Sequence, residues 1–173
     1  MILVTGATGH VGNVLVRELL AQEQQVRAMT LPNDNCASLE GLDVERVTGN
    51  VLDSASLDRA MDNVDVVYHL AGIISILPGA EALMRKVNVD GVRNTAQAAL
   101  RAGVRRMVHI SSIHAFRRMP HGVCIDEHVP FAPDSPVGTY DRTKAEGTLA
   151  VLETVEQGLD AVIACPTGVI GPY

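Results

Sequence analysis

The sequence predicts an α/β fold, a doubly wound parallel sheet with helices on both faces, on three observations. Strand-like and helix-like stretches alternate from one end of the chain to the other, the pattern of repeated strand–helix–strand crossovers. The apolar run Ile2-Leu3-Val4 leads directly into a glycine-rich turn and then a helix. A later run, Asp65-Val66-Val67-Tyr68-His69-Leu70-Ala71, is apolar enough to fit a central parallel strand buried on both faces.

Composition excludes several classes. At 173 residues the chain is long enough for one domain with a sizeable core, taken as 1–173, and hardly long enough for two. Apolar residues at 47% and charged residues at 20% argue against a disordered chain. A net charge of −6 without a basic run argues against a nucleic-acid or anionic-membrane surface. The longest apolar run, 66–77, carries His69 and Ser75 and is too short to span a bilayer. No signal-peptide pattern opens the chain, so no membrane partner is expected. Cys36, Cys124 and Cys165 are odd in number and lack metal-like spacing. They read as free thiols in a reducing, cytoplasmic setting, and no metal is expected.

The elements follow in order. The first helix carries an apolar stripe of Val11, Leu15 and Leu19, widened by Val14 and Leu20. Val26-Arg27-Ala28-Met29-Thr30 reads as the second strand, stopped by Leu31-Pro32-Asn33-Asp34-Asn35. Val44-Glu45-Arg46-Val47 is a short third strand, after which Asp53 or Ser54 caps a helix through Leu57, Ala60 and Met61. The strand at 65–71 ends in Gly72, which leaves room for a ligand. One long helix is expected over 80–102, with Leu83, Val87, Val92, Ala96 and Leu100 on its apolar face and Gly103 as its stop. A fifth strand over 105–110 runs into Ser111-Ser112. Pro120, Pro130, Pro133 and Pro136 make 117–138 an extended loop, longer than a connection needs and therefore a candidate functional segment. A helix from Tyr140 to about Gln157 closes at Gly158, and Asp160-Ala161-Val162-Ile163-Ala164-Cys165 is the last strand.

Two constellations carry chemistry. Thr5-Gly6-Ala7-Thr8-Gly9-His10-Val11-Gly12 stands between the first strand and the first helix. Its glycines let the backbone approach a pyrophosphate while the helix N-terminus attracts the negative charge. Ligands in such sheets lie beyond the carboxyl ends of the strands. Residues 6–12, Asp53, Ala71-Gly72, Ser111-Ser112 and Thr167-Gly168 all fall there. Where a carboxylate would grip a ribose 2′-hydroxyl, or an arginine a 2′-phosphate, the second strand offers Thr30 and Leu31. Asp34 lies a few residues late and Arg27 lies inside the strand, so the choice between NAD and NADP stays open. The second constellation is Tyr140 and Lys144, four apart and on one helix face. A lysine beside a phenol favours the phenolate and brings its pKa down from ~10. Ser112 is placed to hold a substrate oxygen.

With these segments in one order, the chain resembles the extended short-chain dehydrogenases/reductases, of the NAD-dependent epimerase/dehydratase and dihydroflavonol-reductase-like group. TGATGHVG stands for the family's TGxxGxxG turn, and Gly49-Asn50-Val51-Leu52-Asp53 for its Gly-Asp-x-x-Asp segment at the adenine. His69-Leu70-Ala71-Gly72 matches His-x-Ala-[Ala/Gly] beside the cofactor, and Asn88-Val89-Asp90-Gly91-Val92-Arg93-Asn94 matches Asn-x-x-Gly-Thr-x-Asn. Tyr140 and Lys144 supply Tyr-x-x-x-Lys, and Pro166-Thr167-Gly168-Val169-Ile170-Gly171-Pro172 matches Pro-x-x-Val-x-Gly-Pro near the nicotinamide. The resemblance implies a Rossmann-type fold and NAD or NADP as cofactor. It implies Tyr140 as proton donor or acceptor, with Lys144 on the nicotinamide ribose lowering the tyrosine pKa. Ser112 would orient the reacting carbonyl or alcohol, and its distance from Phe116 favours it over Ser111. Cofactor contacts are implied for Gly6, Thr8, Gly9, His10, Val11 and Gly12 in the turn, and for Val51 and Asp53 at the adenine. Leu70, Ala71, Gly72, Tyr140, Lys144, Pro166, Gly168 and Val169 complete that set. Asn88 is left between a proton relay and a helix-stabilising amide, and without a Gly-x-Ser-x-Gly elbow His114 is a poor hydrolase base.

Family members continue into a smaller substrate-binding region, whereas this chain stops at Tyr173. The last strand and most of the substrate pocket are therefore expected to be absent, leaving a strand edge prone to association. The resemblance also implies a homodimer through the helices at 80–102 and 140–157. Three functions follow as alternatives. One is an NAD(P)-dependent oxidoreductase moving hydride to or from a small-molecule carbonyl or alcohol through a Ser-Tyr-Lys site. The second is a nucleotide-sugar epimerase or dehydratase that recycles NAD. The third is a non-catalytic dinucleotide-binding fragment.

Overall fold

The computed structural model describes residues 1–75 and 79–171. Positions 76–78 of the long apolar run, together with Pro172 and Tyr173 at the closing motif, lie outside the described residues. Parallel strands β1 (Ile2–Thr5), β2 (Val26–Thr30), β3 (Glu45–Thr48), β4 (Val66–His69), β5 (Arg106–Ile110) and β6 (Ala161–Ala164) form one sheet. Their order is β3-β2-β1-β4-β5-β6. The order reverses between β1 and β4, so a crevice opens beyond the carboxyl ends of those two strands.

Strand alternation builds two packed layers. Leu3, Met29, Val67 and Met107 meet residues of α2 (Ser54–Ala60), α4 (Val92–Ala102) and α5 (Thr139–Val155). On the other face Val4 and Ala28 meet Val16 and Leu19 of α1 (His10–Ala21). Burying side chains of this size stabilises by about 1.5–3 kcal/mol each.

The buried face of α1 is Gly12, Asn13, Val16 and Leu19, which differs from the expected stripe. Val11 is 39% exposed. The helix starts above the strand ends, so its first turn overlooks the crevice rather than the core, and Val11 lines that crevice.

The expected helix over 80–102 is interrupted. A short α3 (Glu81–Arg85) passes into a π-helical stretch, Lys86–Gly91, before α4 begins. The wider turn rotates the apolar face: Met84, Val89, Val92, Ala96 and Ala99 are buried, while Leu83 is 51% exposed. The stretch packs on α5, where Gly147 faces the Asn88 carbonyl so closely that a Cβ would stand 2.1 Å from it. Single π-turns of this kind often occur at functional sites. Gly103, with φ of +66°, ends α4 as expected.

The proline-rich loop is pinned at its base. The Phe116 and Phe131 rings stack at 4.8 Å, and Ala132 N–H donates to the Ala115 carbonyl at 2.9 Å. Among the described residues β6 pairs only with β5, and its Val162 is 46% exposed. Among the described residues no helix is long and apolar enough to cross a membrane.

Candidate active site

β1 ends at Thr5, and the chain reverses at Gly6, whose φ of +68° is a left-handed conformation that favours glycine. Gly12, in the first turn of α1, faces the Gly6 carbonyl so closely that a Cβ would stand 2.1 Å from the oxygen. The two glycines seat the helix end against the strand end. Gly9 caps α1 without a side-chain hydrogen bond, and the first turn holds no acidic residue. The helix therefore presents the positive end of its dipole to the crevice with no side chain closing it.

The crevice is continuous along the strand ends. One half, of about 460 Å³, passes Gly6, Thr8, Gly9, Met29, Asn50 and Val51. The other, of about 320 Å³, passes His10, Ser112, Tyr140, Lys144, Pro166 and Val169. Leu70, Gly72 and Ile73 line both halves, and Ala71 lines the first.

In the first half, Thr8 Oγ1 donates to Asp34 Oδ2 at 2.9 Å. This contact brings a carboxylate that lies late in sequence to the crevice wall beside Leu31. Arg27 is held elsewhere, donating to Glu45 Oε1 at 2.8 Å and to the Ala60 and Asp62 carbonyls at 2.8 and 2.7 Å. Asp53 does not line the crevice. It caps α2, its Oδ1 accepting from Ala55 N–H at 3.1 Å, and capping folds the carboxylate over the helix start. Gly49, Asn50, Val51 and Leu52 form the wall there instead. Gly12 and Gly168 are also not on the crevice surface, whereas Thr167 is.

Ser111 and Ser112 leave β5 toward different partners. Ser111 Oγ is hydrogen-bonded to Thr148 Oγ1 of α5 at 2.6 Å. Ser112 Oγ lies beside the Tyr140 phenol and accepts from His114 N–H at 3.2 Å. The structure thus brings together Ser112, Tyr140 and Lys144 on one wall.

The electrostatics differ from expectation. Burial pushes the Tyr140 phenol above its ordinary pKa, the Ser112 hydroxyl partly opposes this, and the Asp141 carboxylate adds to the rise. Lys144 is engaged at the end of β5. Its Nζ donates to the Ile110 carbonyl at 2.8 Å, and burial draws its own pKa to about 8. One donor of the ammonium is thus taken by that carbonyl.

Asn88, in the π-helical stretch, clamps the segment after β4. Its Oδ1 accepts from Ile73 N–H at 2.8 Å and its Nδ2 donates to the Ile73 carbonyl at 2.9 Å. The same Nδ2 donates to Thr143 Oγ1 at 3.3 Å. Asn88, Met29, Leu31, Asp34, Ile73, Leu83 and Val87 line the crevice without having been singled out as cofactor contacts from the sequence. Apart from Met29 of β2 they are loop or helix residues, whose direction depends on long-range packing.

Behind the wall, His69 and His109 stack with 5.5 Å between ring centroids. His69 Nδ1 is hydrogen-bonded to Thr5 Oγ1 at 2.7 Å. Burial, with Lys144 nearby, draws the His69 pKa from 6.5 to about 3. Burial, with His69 and Lys144 adding to it, holds His109 well below its ordinary value too. The unfolded chain therefore binds protons near 6.5 that folded His69 refuses until about 3, so stability falls as pH drops through that window. Between about pH 7 and about pH 5, His69 alone is expected to cost ~2 kcal/mol. Urea unfolding should show a lower midpoint at the acid end with an unchanged slope. His69→Asn should flatten this dependence, and an unchanged dependence would exclude His69 as its source.

A parallel sheet with this strand order, a crevice at the order reversal and a glycine turn at its floor is of the Rossmann type. The chain belongs to the NAD dependent epimerase/dehydratase family, whose family model matches residues 2–173. It is 43% identical over 171 residues to sterol demethylase protein B of Methylococcus capsulatus, covering 99% of this chain and 52% of that protein. It is 33% identical over 181 residues to a 3 beta-hydroxysteroid dehydrogenase/Delta 5-->4-isomerase of Mycobacterium tuberculosis, covering 98% of this chain and 47% of that protein. The crystal structure of a short-chain dehydrogenase/reductase superfamily protein from Agrobacterium tumefaciens with bound NAD matches with a TM-score of 0.79 at 34% identity. That match covers 94% of this chain and 48% of the other. The chain spans about half the length of the relatives it matches.

Proposed function

We propose that the chain forms the cofactor-binding and proton-transferring half of an NAD-dependent oxidoreductase that moves hydride to or from a small-molecule carbonyl or alcohol. One observation carries this reading: a continuous crevice with an uncapped helix end on it and Ser112, Tyr140 and Lys144 grouped in one of its halves. NAD fits these residues. The glycine turn brings bare backbone N–H groups to the crevice: a Cβ at Gly6 would strike the Leu70–Ala71 backbone and one at Gly12 the Gly6 oxygen, so both glycines are needed to seat the α1 N-terminus there. Gly6, Thr8, Gly9, His10 and Val11 would hold the pyrophosphate, and Val51, with Met29 and Leu31, the adenosine. Asp53 would act there through the cap that fixes Val51 and Leu52. Leu70, Ala71 and Gly72 would pass beneath the cofactor, with Pro166 and Val169 at its nicotinamide end.

When bound, NAD supplies the hydride donor or acceptor. The remaining chemistry belongs to this chain. Ser112 hydrogen-bonds the substrate oxygen, Tyr140 gives that oxygen a proton or takes one, and Lys144 holds the nicotinamide ribose. With its pKa raised, the Tyr140 phenol is protonated at neutral pH, the form that carbonyl reduction needs. Relatives named for sterol and steroid chemistry make a ring-borne ketone or secondary alcohol the first substrate class to test.

Asp34 sets the cofactor preference. A carboxylate accepts from a ribose 2′-hydroxyl and repels a 2′-phosphate, and the guanidinium of Arg27 is already engaged. Fluorescence titration should give a Kd for NADH at least about tenfold below that for NADPH, with the gap closing in Asp34→Asn. Equal affinities in the unsubstituted chain would remove Asp34 from this role. Failure to bind either nucleotide would overturn the dinucleotide reading for this chain.

A further inference from the structure

We infer that His114 and Asp141 form a second acid–base pair beside Tyr140, one that exchanges a proton at the carbon next to the substrate carbonyl. The inference rests on the reading of Ser112 and Tyr140 as the groups that hold the carbonyl oxygen.

His114 lies in the short turn Ile113–Ala115, two residues after Ser112, and its own N–H donates to Ser112 Oγ. Its Nδ1 stands 3.3 Å from Asp141 Oδ1. Its ring meets the Tyr140 ring edge-on, with 5.8 Å between centroids. Asp141 follows Tyr140 in α5, is 7% exposed, and has no other side-chain partner among the described residues. A carboxylate in the first turn of a helix is favoured by the dipole, which accounts for Asp141 alone. It does not account for an imidazole laid against that carboxylate at the serine that faces the phenol. Pairing through Nδ1 fixes the tautomer and leaves Nε2 with a lone pair on a side chain that is 49% exposed. This is the arrangement of an oriented general base.

A ketone whose oxygen is held by Ser112 and Tyr140 has acidified hydrogens on the adjacent carbon. His114 Nε2 takes one of them. The C–H bond breaks, and its electron pair becomes the carbon–carbon double bond of an enolate. The oxygen charge of that enolate is held by the two hydroxyls, and the imidazolium is held by Asp141. Return of the proton to the same carbon, or to the far end of a conjugated system, completes the step without any redox change. Epimerisation beside a carbonyl, double-bond migration and elimination all contain this step. The substrate class is therefore a ketone, or an alcohol oxidised to one, with hydrogen on the neighbouring carbon.

The test is deuterium uptake by cyclohexanone in heavy water, followed by proton NMR with the chain and NAD present, alongside NADH binding in the same samples. The expected result is exchange above the buffer rate that falls to that rate in His114→Gly and returns when imidazole is added. Asp141→Asn should lose at least about tenfold. NADH binding should stay within about twofold in both variants. Exchange no faster than buffer, or equal in His114→Gly and the unsubstituted chain, would overturn the inference. His114-dependent exchange in a chain that binds no NADH would uphold the pair while the dinucleotide reading fell.

Discussion

Tyr140→Phe is expected to lower hydride transfer to a ring-borne ketone by about 10²–10⁴-fold while the Kd for NADH changes by no more than about twofold. The ring stays, so its packing against His114 stays, and only the hydroxyl is removed. That hydroxyl is the group placed beside Ser112, and it holds a proton at neutral pH, since burial lifts a phenol pKa that ordinarily lies near ~10 still higher. A proton delivered only as the carbonyl is reduced acts in the transition state, so kcat and kcat/KM should fall together. The raised phenol pKa also predicts a reduction rate that stays level across neutral pH, since the donor form persists throughout. Steady-state kinetics on both chains decide the matter. A loss of less than about tenfold would mean that the proton comes from another group, and His114 would be the first to examine.

Much of this architecture is readable from the residues because local signals and packing agree. The Ile2-Leu3-Val4 run places Leu3 in one layer and Val4 in the other, as strand alternation requires. Gly103 stops α4 and Asp53 caps α2, each by chemistry confined to a few neighbours. The six ordered motifs sufficed for the family, since their order and spacing are themselves sequence. What was not readable depends on contacts between distant segments. Helical periodicity treats 80–102 as one helix. The π-helical stretch packs on α5 where Gly147 admits the Asn88 carbonyl, a contact between segments far apart in sequence. Asp34 has no pattern of its own in a polar loop, and only the Thr8 hydroxyl shows where it points. The spacing of Tyr140 and Lys144 puts them on one face, but it does not reveal that the ammonium reaches the Ile110 carbonyl. The same limit hid the pairing of His114 with Asp141, which are 27 positions apart and meet only because the turn after β5 packs on α5.

Gly9→Asp is expected to weaken NADH binding by at least about 100-fold, roughly 2.7 kcal/mol, without loss of stability. Gly9 has φ of −72° and ψ of 170°, an extended conformation open to any residue. A Cβ there meets nothing nearer than the Gly6 carbonyl at 3.3 Å, so the side chain fits with a small adjustment. Aspartate is a favoured N-cap, and its charge suits the helix dipole. Together these effects should hold or raise stability by a few tenths of a kcal/mol to about 1 kcal/mol. The same cap engages the N–H groups on which the pyrophosphate depends and sets a negative charge where the phosphates would lie. Gly12→Ala supplies the contrast. Its Cβ would stand 2.1 Å from the Gly6 oxygen, so the turn must open, and both binding and Tm should fall. Thermal unfolding and NADH titration of the two variants therefore separate charge at the helix end from collapse of the turn. Retained binding in Gly9→Asp would show that the pyrophosphate does not lie at the α1 N-terminus, and the assignment of the crevice to a dinucleotide would lose its central support.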